Sequence, residues 1–73
     1  MKKRTLTAAA VKRLPIGTIV RKVRDMDGAH AAFVVALSYK KKILRMIGCY
    51  DVTSTIEDKN GWHYELEVKD GTD

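Results

Sequence analysis

Residues 31 to 39 constrain the fold more than any other segment, because apolar side chains occupy both alternating positions of a strand there. One face of this strand would carry Phe33, Val35, Leu37 and Tyr39, and the other face Val34 and Ala36. A strand that is apolar on both faces is normally covered on both sides. We therefore expect it to be central in a small barrel, to lie under a helix, or to present one face to a partner.

The same segment also allows a helix from residue 32 to residue 47. Five of its residues have roughly helical spacing: Ala36, Leu37, Lys40, Leu44 and Ile47. The strand is favoured over the helix because Phe, Val and Tyr are residue types that prefer strands. The three lysines at 40 to 42 then connect the central strand to another one in "KILRMIGCY". This interpretation places the lysines at a charged tip.

A hairpin is predicted upstream of the lysines, in "IGTIVRKVRDMDGAHAAFVVAL". Its first strand would run from about Thr18 to Arg24, and its second strand is the central apolar one. Asp27-Gly28 lies between them and belongs to the dipeptides that mark tight turns. We expect the two strands to be antiparallel neighbours.

A second hairpin is predicted in "DVTSTIEDKNGWHYELEV", where two alternating segments flank Asn60-Gly61. That dipeptide tolerates the positive φ angles of a type I′ turn. The second strand would turn four side chains to the core: Trp62, Tyr64, Leu66 and Val68. Trp62 and Tyr64 could instead stack on bases, but the acidic residues that alternate with them favour the core role.

The first fifteen residues are predicted to form a short helix or a flexible basic arm. Thr5 or Thr7 can cap such a helix, an alanine run follows, and Pro15 ends it. The expected organisation is an arm or helix at 1–15, a small antiparallel β domain at 16–70 and a frayed tail at 71–73. The fold class is mainly β, an antiparallel sheet or SH3-like barrel of about five strands.

Residues that commonly carry catalysis or bind metals are few. The chain has one cysteine and two histidines, and it contains no phosphate-binding loop, paired cysteines or nucleophile motif. We therefore predict no catalytic residues, no metal, no cofactor and no small-molecule substrate. Cys49 is expected to be a small core residue, and His63 with Glu65 to form part of a solvated polar face.

The location of the protein is predicted from the same counts. A single cysteine cannot form an intrachain disulfide, which favours a reducing, cytoplasmic environment. The longest apolar stretch, "AHAAFVVAL", is too short to span a bilayer. No membrane insertion is expected.

Charge is divided unevenly along a chain whose net charge is +5. The first 24 residues hold eight Lys or Arg and no acid, whereas residues 51–73 hold seven acids and two bases. Such a division suits an anionic partner for one part of the surface, and a well-mixed solvated surface is the alternative. The predicted contacts to nucleic acid or to an acidic partner are Lys2, Lys3, Arg4, Lys12, Arg13, Lys40, Lys41, Lys42 and Arg45.

The segment "LPIGTIVRKVRDMDG" resembles the opening strand of SH3-like modules in transcription and translation proteins, where a glycine precedes alternating valines. In size, basicity and single compact domain, the whole chain also resembles the small phage-encoded regulators of bacterial RNA polymerase, among them antitermination proteins. The resemblance implies a non-enzymatic protein of the bacterial host cytoplasm that docks on polymerase, inhibits initiation and promotes read-through of terminators.

Bacterial RNA polymerase is accordingly the expected partner, and direct binding of RNA or DNA through a basic stripe is the alternative. Affinity for a protein would come from a few apolar anchors, while charges steer the association. The predicted protein interface consists of Phe33, Val34, Val35, Arg21 and Arg24.

Overall fold

The computed structural model describes residues 2–49 and 51–68, with side chains described for residues 4–49 and 51–66. The elements are β1 (Lys2–Leu6), α1 (Ala8–Lys12), β2 (Ile19–Arg24), β3 (His30–Ser38), β4 (Lys41–Met46), β5 (Thr53–Ser54) and β6 (Trp62–Val68). The strands form one sheet in the order β1-β6-β2-β3-β4-β5, and each neighbouring pair is antiparallel. The prediction of a mainly β, antiparallel fold with a short helix is confirmed.

Strand β3 lies between β2 and β4, as its two apolar faces predict. Val34 is opposite Ile19 of β2, and Val35 is opposite Leu44 of β4. The competing helix from 32 to 47 does not form. The predicted hairpin of β2 and β3 is confirmed, and Gly28 in its turn has a φ of 73°, a left-handed conformation that glycine adopts without steric cost.

The connection from β3 to β4 is a turn of two residues, Tyr39 and Lys40. Ser38 pairs with Lys41 across its base. The φ angles of Tyr39 and Lys40 are 50° and 67°, and a type I′ turn requires positive φ at both of these positions. The lysines therefore lie at a strand connection, as predicted.

The predicted C-terminal hairpin is wrong. β5 pairs with β4, whereas β6 pairs with β1 on one side and β2 on the other, so β6 has no edge left for β5. A turn does exist at Asn60-Gly61, where Trp62 N–H donates to the Lys59 carbonyl at 3.2 Å. Only Gly61 of that pair has a positive φ, 84°, so the turn is not type I′. It leads residues 55–61 into β6.

The short helix α1 is confirmed, and Thr7 is its N-cap, accepting a hydrogen bond from Ala10 N–H at 3.2 Å. The residues before the helix form β1, which pairs with β6 along its length and is neither an arm nor part of a longer helix. Ala8 N–H donates to Asp58 Oδ1 at 2.9 Å. The helix is thereby joined to the loop that precedes β6.

The core lies on one face of the sheet, which we call the core face. Helix α1 and the loop at 55–61 supply Val11 and Ile56 to it. Tyr64, which is 3% exposed, reaches this loop: its hydroxyl donates to the Glu57 carbonyl at 3.1 Å. The buried residues of the core are Leu6, Ala8, Val11, Val20, Phe33, Val35, Leu44, Ile56 and Tyr64.

Cys49 is exposed, which overturns its predicted place in the core. β4 ends at Met46, and the chain then turns through Gly48, whose φ is 86°. Cys49 lies in that turn, where its N–H donates to the Met46 carbonyl at 3.3 Å. Strand alternation therefore no longer applies at Cys49.

Leu44→Ala tests the packing of the core. Leu44 is completely buried, so we expect its truncation to lower the free energy of unfolding by about 2 to 5 kcal/mol. Leu37→Ala is the matched control, since Leu37 is 56% exposed and should cost less than about 1 kcal/mol. Urea denaturation followed by circular dichroism measures both values. Equal losses in the two variants would contradict this description of the core.

Candidate functional site

Lys42, one of the three lysines that follow Tyr39, has a structural role. Its ammonium group donates to the carbonyls of Lys12 and Leu14, at 2.8 and 2.7 Å. Carbonyls at the end of a helix lack partners within the helix, and a cation close to them is also favoured by the helix dipole. Lys42 therefore holds the end of α1 against the start of β4.

This contact brings two of the predicted basic groups together. We call the resulting surface the basic tip, and it consists of Lys12, Arg13, Tyr39, Lys40 and Lys41. All five residues are exposed, and Tyr39 is 100% exposed. No Asp or Glu occurs in residues 1–24 or 28–50. The two segments that supply the basic tip thus contain no acidic residue.

The opposite end of the sheet carries acidic residues. The turn between β2 and β3 contains Asp25 and Asp27, and Asp25 N–H donates to the Gly61 carbonyl at 2.8 Å. That bond brings the end of the acidic loop at 55–61 to the same place. Because the two turns lie at opposite ends of β3, the charge asymmetry of the sequence becomes a separation along the molecule.

The second candidate surface is the sheet face opposite the core, which we call the outer face. Ile19, Val34 and Arg45 are aligned across β2, β3 and β4, so their side chains point to the same side. Ile47 follows β4, and its N–H donates to the Ala32 carbonyl at 3.1 Å, which continues the pairing with β3 and places Ile47 on the same face. Ile19 is 55% exposed and Ile47 is 45% exposed, while Val34 is half-buried. No helix among the described residues covers this face, since α1 packs on the core face.

The residues predicted for a protein interface fall into different places. Phe33 and Val35 are 5% and 0% exposed and belong to the core, so of these three residues only Val34 keeps exposed surface. Arg21 lies on the outer face, opposite Glu65 of β6. Arg24 forms a double hydrogen bond with Asp27, at 3.0 and 2.7 Å, and so is held at the acidic end.

The remaining predicted basic residues do not join the tip. Arg4 is exposed on β1, which three strands separate from β4 in the sheet. Arg45 lies on the outer face. The side chains of Lys2 and Lys3 lie outside the described residues.

A groove of about 330 Å³ opens on the core face at the acidic end. Trp62 forms one wall, and Phe33 and Met46 contribute apolar surface. The cationic groups of Lys22 and Arg24 lie over the Trp62 ring, at 5.4 and 5.8 Å from its centroid. Trp62 is thus neither a core residue nor an open stacking platform, because two cations already occupy positions over its ring.

His63 lies between two carboxylates. Its Nε2 is 2.7 Å from Glu65 Oε2, and its Nδ1 is hydrogen-bonded to Asp25 Oδ1. These two carboxylates, Glu65 foremost, raise the pKa of His63, against a smaller effect of burial. Both ring nitrogens face acceptors, so the doubly protonated imidazolium is the form that fits this position.

The Arg24–Asp27 pair is the other strong electrostatic contact of the acidic end. The hydrogen bond from Arg24 is the main cause that lowers the pKa of Asp27 to about 2, helped by the Ala29 N–H. The hydrogen bond to Asp27 and the negative charge of Asp27 in turn raise the pKa of Arg24. Asp27 is therefore ionised throughout the neutral range and fixes the turn.

Tyr39 is the residue that the sequence reasoning missed. Alternation assigned it to the face of Phe33 and Val35, but β3 ends at Ser38 and Tyr39 enters the turn. Neither Tyr39 nor Lys40 is a typical turn residue, so nothing in "SYKK" marked a two-residue turn. The lysines alone indicated a connection there.

Comparison of the chain with protein-family models, with curated proteins and with solved structures gave no match. Within residues 2–49 and 51–68, no helix has the length and apolar character needed to cross a membrane. In the same part of the chain, no group of three or more His, Cys, Asp or Glu side chains could hold a metal ion.

The His63 contacts predict a pH-dependent contribution to stability. A pKa that is raised on folding stabilises the folded state fully below the unfolded value, about 6.5, and this contribution is lost as pH rises through the folded pKa. The difference in unfolding free energy between the wild type and His63→Gln should therefore shrink from acid to alkaline pH. Urea titrations across that range measure it. A difference that is constant with pH would contradict the proposed pairing.

Proposed function

We propose that the protein is a non-enzymatic transcription regulator that docks on bacterial RNA polymerase, inhibits initiation and promotes read-through of terminators. The resemblance to small phage-encoded regulators suggests this partner, and the outer face is the observation that supports docking. A sheet face bearing exposed Ile19 and Ile47 is costly to leave in water. A protein partner would bury it.

The outer face has the composition of a small protein interface. Its apolar centre is formed by Ile19, Val34 and Ile47, and two arginines lie on the same face. Apolar residues surrounded by polar ones are typical of binding sites, in which a few central residues contribute most of the affinity. The exposed cations of the basic tip would add long-range attraction to an anionic assembly. In this proposal the protein acts in the cytoplasm of the bacterial host.

Ile19→Glu tests the docking surface. Ile19 is already more than half exposed, so the variant should fold, but a carboxylate buried against polymerase would weaken binding by about tenfold or more. Met26→Glu is the matched control, because Met26 is 89% exposed in the turn at the acidic end. Purified polymerase provides the readouts: affinity, promoter initiation and terminator read-through.

The control should behave as the wild type in all three assays. If the wild type neither binds polymerase nor changes initiation or read-through, the polymerase function is wrong. If Ile19→Glu and Met26→Glu both bind as the wild type does, the outer face is not the docking surface.

Direct nucleic-acid binding is the second candidate function, and the basic tip supports it. The hydrogen bonds of Lys42 bring the end of α1 close to the β3–β4 turn, and both segments supply exposed cations but no acidic residue. Lys and Arg side chains that neutralise phosphates displace counterions, which makes such binding steeply dependent on salt. This function is compatible with polymerase binding, since the tip and the outer face involve different residues.

Lys12→Gln and Lys41→Gln test the basic tip. Each should lower the dependence of log affinity on log salt concentration by about 0.7 to 0.9. Lys59→Gln is the control, since Lys59 is an exposed lysine in the acidic loop. Fluorescence anisotropy with labelled oligonucleotides measures the slope. Equal slopes for all three variants would exclude the tip as the contact surface.

A further inference from the structure

The turn between β3 and β4 contains two residues whose backbone conformation is unfavourable. Tyr39 and Lys40 both have φ in the left-handed region, at 50° and 67°. Residues other than Gly, Asn and Asp rarely adopt this backbone conformation. Type I′ turns normally contain Asn-Gly or a similar pair. The turn would form more readily with other residues at both positions.

The Tyr39 side chain offers no stabilisation in return. It is 100% exposed, so its ring buries no apolar surface in the fold. Tyr39 therefore does not stabilise the fold by packing. Strained residues of this kind are found most often at functional sites.

The surroundings of Tyr39 are cationic. Lys40 and Lys41 follow it in the turn and at the first position of β4, and both are exposed. Lys12 and Arg13 are brought towards the same end by the contact of Lys42 with the end of α1. A fully exposed aromatic ring thus lies beside four exposed cationic side chains, in segments that contain no acidic residue.

We infer that the basic tip is a contact site for single-stranded nucleic acid, in which the Tyr39 ring stacks on an unpaired base and the adjacent cations contact the phosphates. This inference rests on the second candidate function and specifies its substrate class. Alternation of aromatic stacking with backbone neutralisation is how proteins bind single strands without reading their sequence. The isolated ring and lysines offer no fixed set of hydrogen bonds to base edges, so little sequence preference is expected.

The Tyr39 ring is the feature that favours a single strand over a duplex or an acidic protein as the anionic partner. In a duplex the bases are stacked on each other, and an exposed ring on a hairpin gains nothing from them without unstacking. An acidic protein surface could form ion pairs with the lysines, but it would offer no base on which the aromatic ring could stack. A single strand uses both features of the tip.

The test is the affinity of Tyr39 variants for a labelled oligouridylate, measured by fluorescence anisotropy at low salt. Tyr39→Leu should weaken binding by about five- to hundredfold, the value of one stacked base. Tyr39→Phe should bind within about twofold of the wild type, because the ring is retained. Neither change removes a charge, so both should keep the salt dependence of the wild type, whereas Lys41→Gln should lower its slope by about 0.7.

Tyr39→Asn separates binding from folding. Asparagine tolerates the left-handed conformation better than tyrosine does, so this variant should unfold at the same or a higher urea concentration than the wild type. It should nevertheless bind the oligouridylate as weakly as Tyr39→Leu. Loss of binding in a variant of undiminished stability cannot be attributed to a damaged turn.

Three outcomes would overturn the inference. Unchanged affinity in Tyr39→Leu, with the lysine effects retained, would leave a nucleic-acid function without stacking. Equal competition by an unlabelled duplex or by polyglutamate would show that the tip responds to charge alone. Absence of binding by the wild type at low salt would exclude the nucleic-acid function itself, and the stacking contact with it.

Discussion

The organisation of this protein depends on one constraint: the described chain covers only one face of its sheet. Helix α1 has five residues, and the loop at 55–61 contributes Ile56 alone to the core. Both of these segments pack on the core face. Burial of apolar area is the main favourable term in folding, and most of the buried apolar residues lie on that side. Val23 of β2 is buried as well, but its position opposite His30 and His63 places it on the outer face. The outer face, with Ile19 and Ile47, stays in contact with water.

The same arrangement separates charge. Hydrogen bonds between strands fix the two turns of β3 at opposite ends of the sheet. The acidic residues that follow β2 and β5 gather at one end, where Arg24 and His63 are held by carboxylates. The other end keeps its cations exposed, apart from Lys42, which secures the helix. The exposed apolar side chains and the exposed cations thus belong to different parts of one surface.

Several elements followed from local sequence signals. The two-sided apolar pattern of β3, the Asp27-Gly28 turn, the Thr7 cap and the connection at the lysines are all properties of neighbouring residues, and the structure has them. The main failure concerns a long-range choice. Alternation and Asn60-Gly61 favoured a C-terminal hairpin, but the pattern within β6 does not reveal that β1 and β2 provide a better pair of partners. Strand pairings between segments this distant in sequence cannot be recognised from the residue pattern of either segment.

The candidate surfaces, too, could be predicted from the sequence only in part. Positive charge at residues 12, 13, 40 and 41 is visible in the sequence, but its convergence depends on a hydrogen bond from Lys42 to a carbonyl of another element. The burial of Phe33 and Val35 depends on which face of β3 the helix covers. The exposure of Tyr39 depends on the single position at which β3 ends. Each of these facts is set by tertiary structure.

The placement of β6 between β1 and β2 has a consequence for the order in which the protein folds. β2, β3 and β4 are joined by short turns and can pair early, whereas β1 enters the sheet only through β6. Closing the chain between these two distant segments has a large entropic cost before any contact forms. We therefore expect the three-stranded meander to form first. During synthesis on the ribosome, β1 would remain unpaired until the segment of β6 has left the exit tunnel.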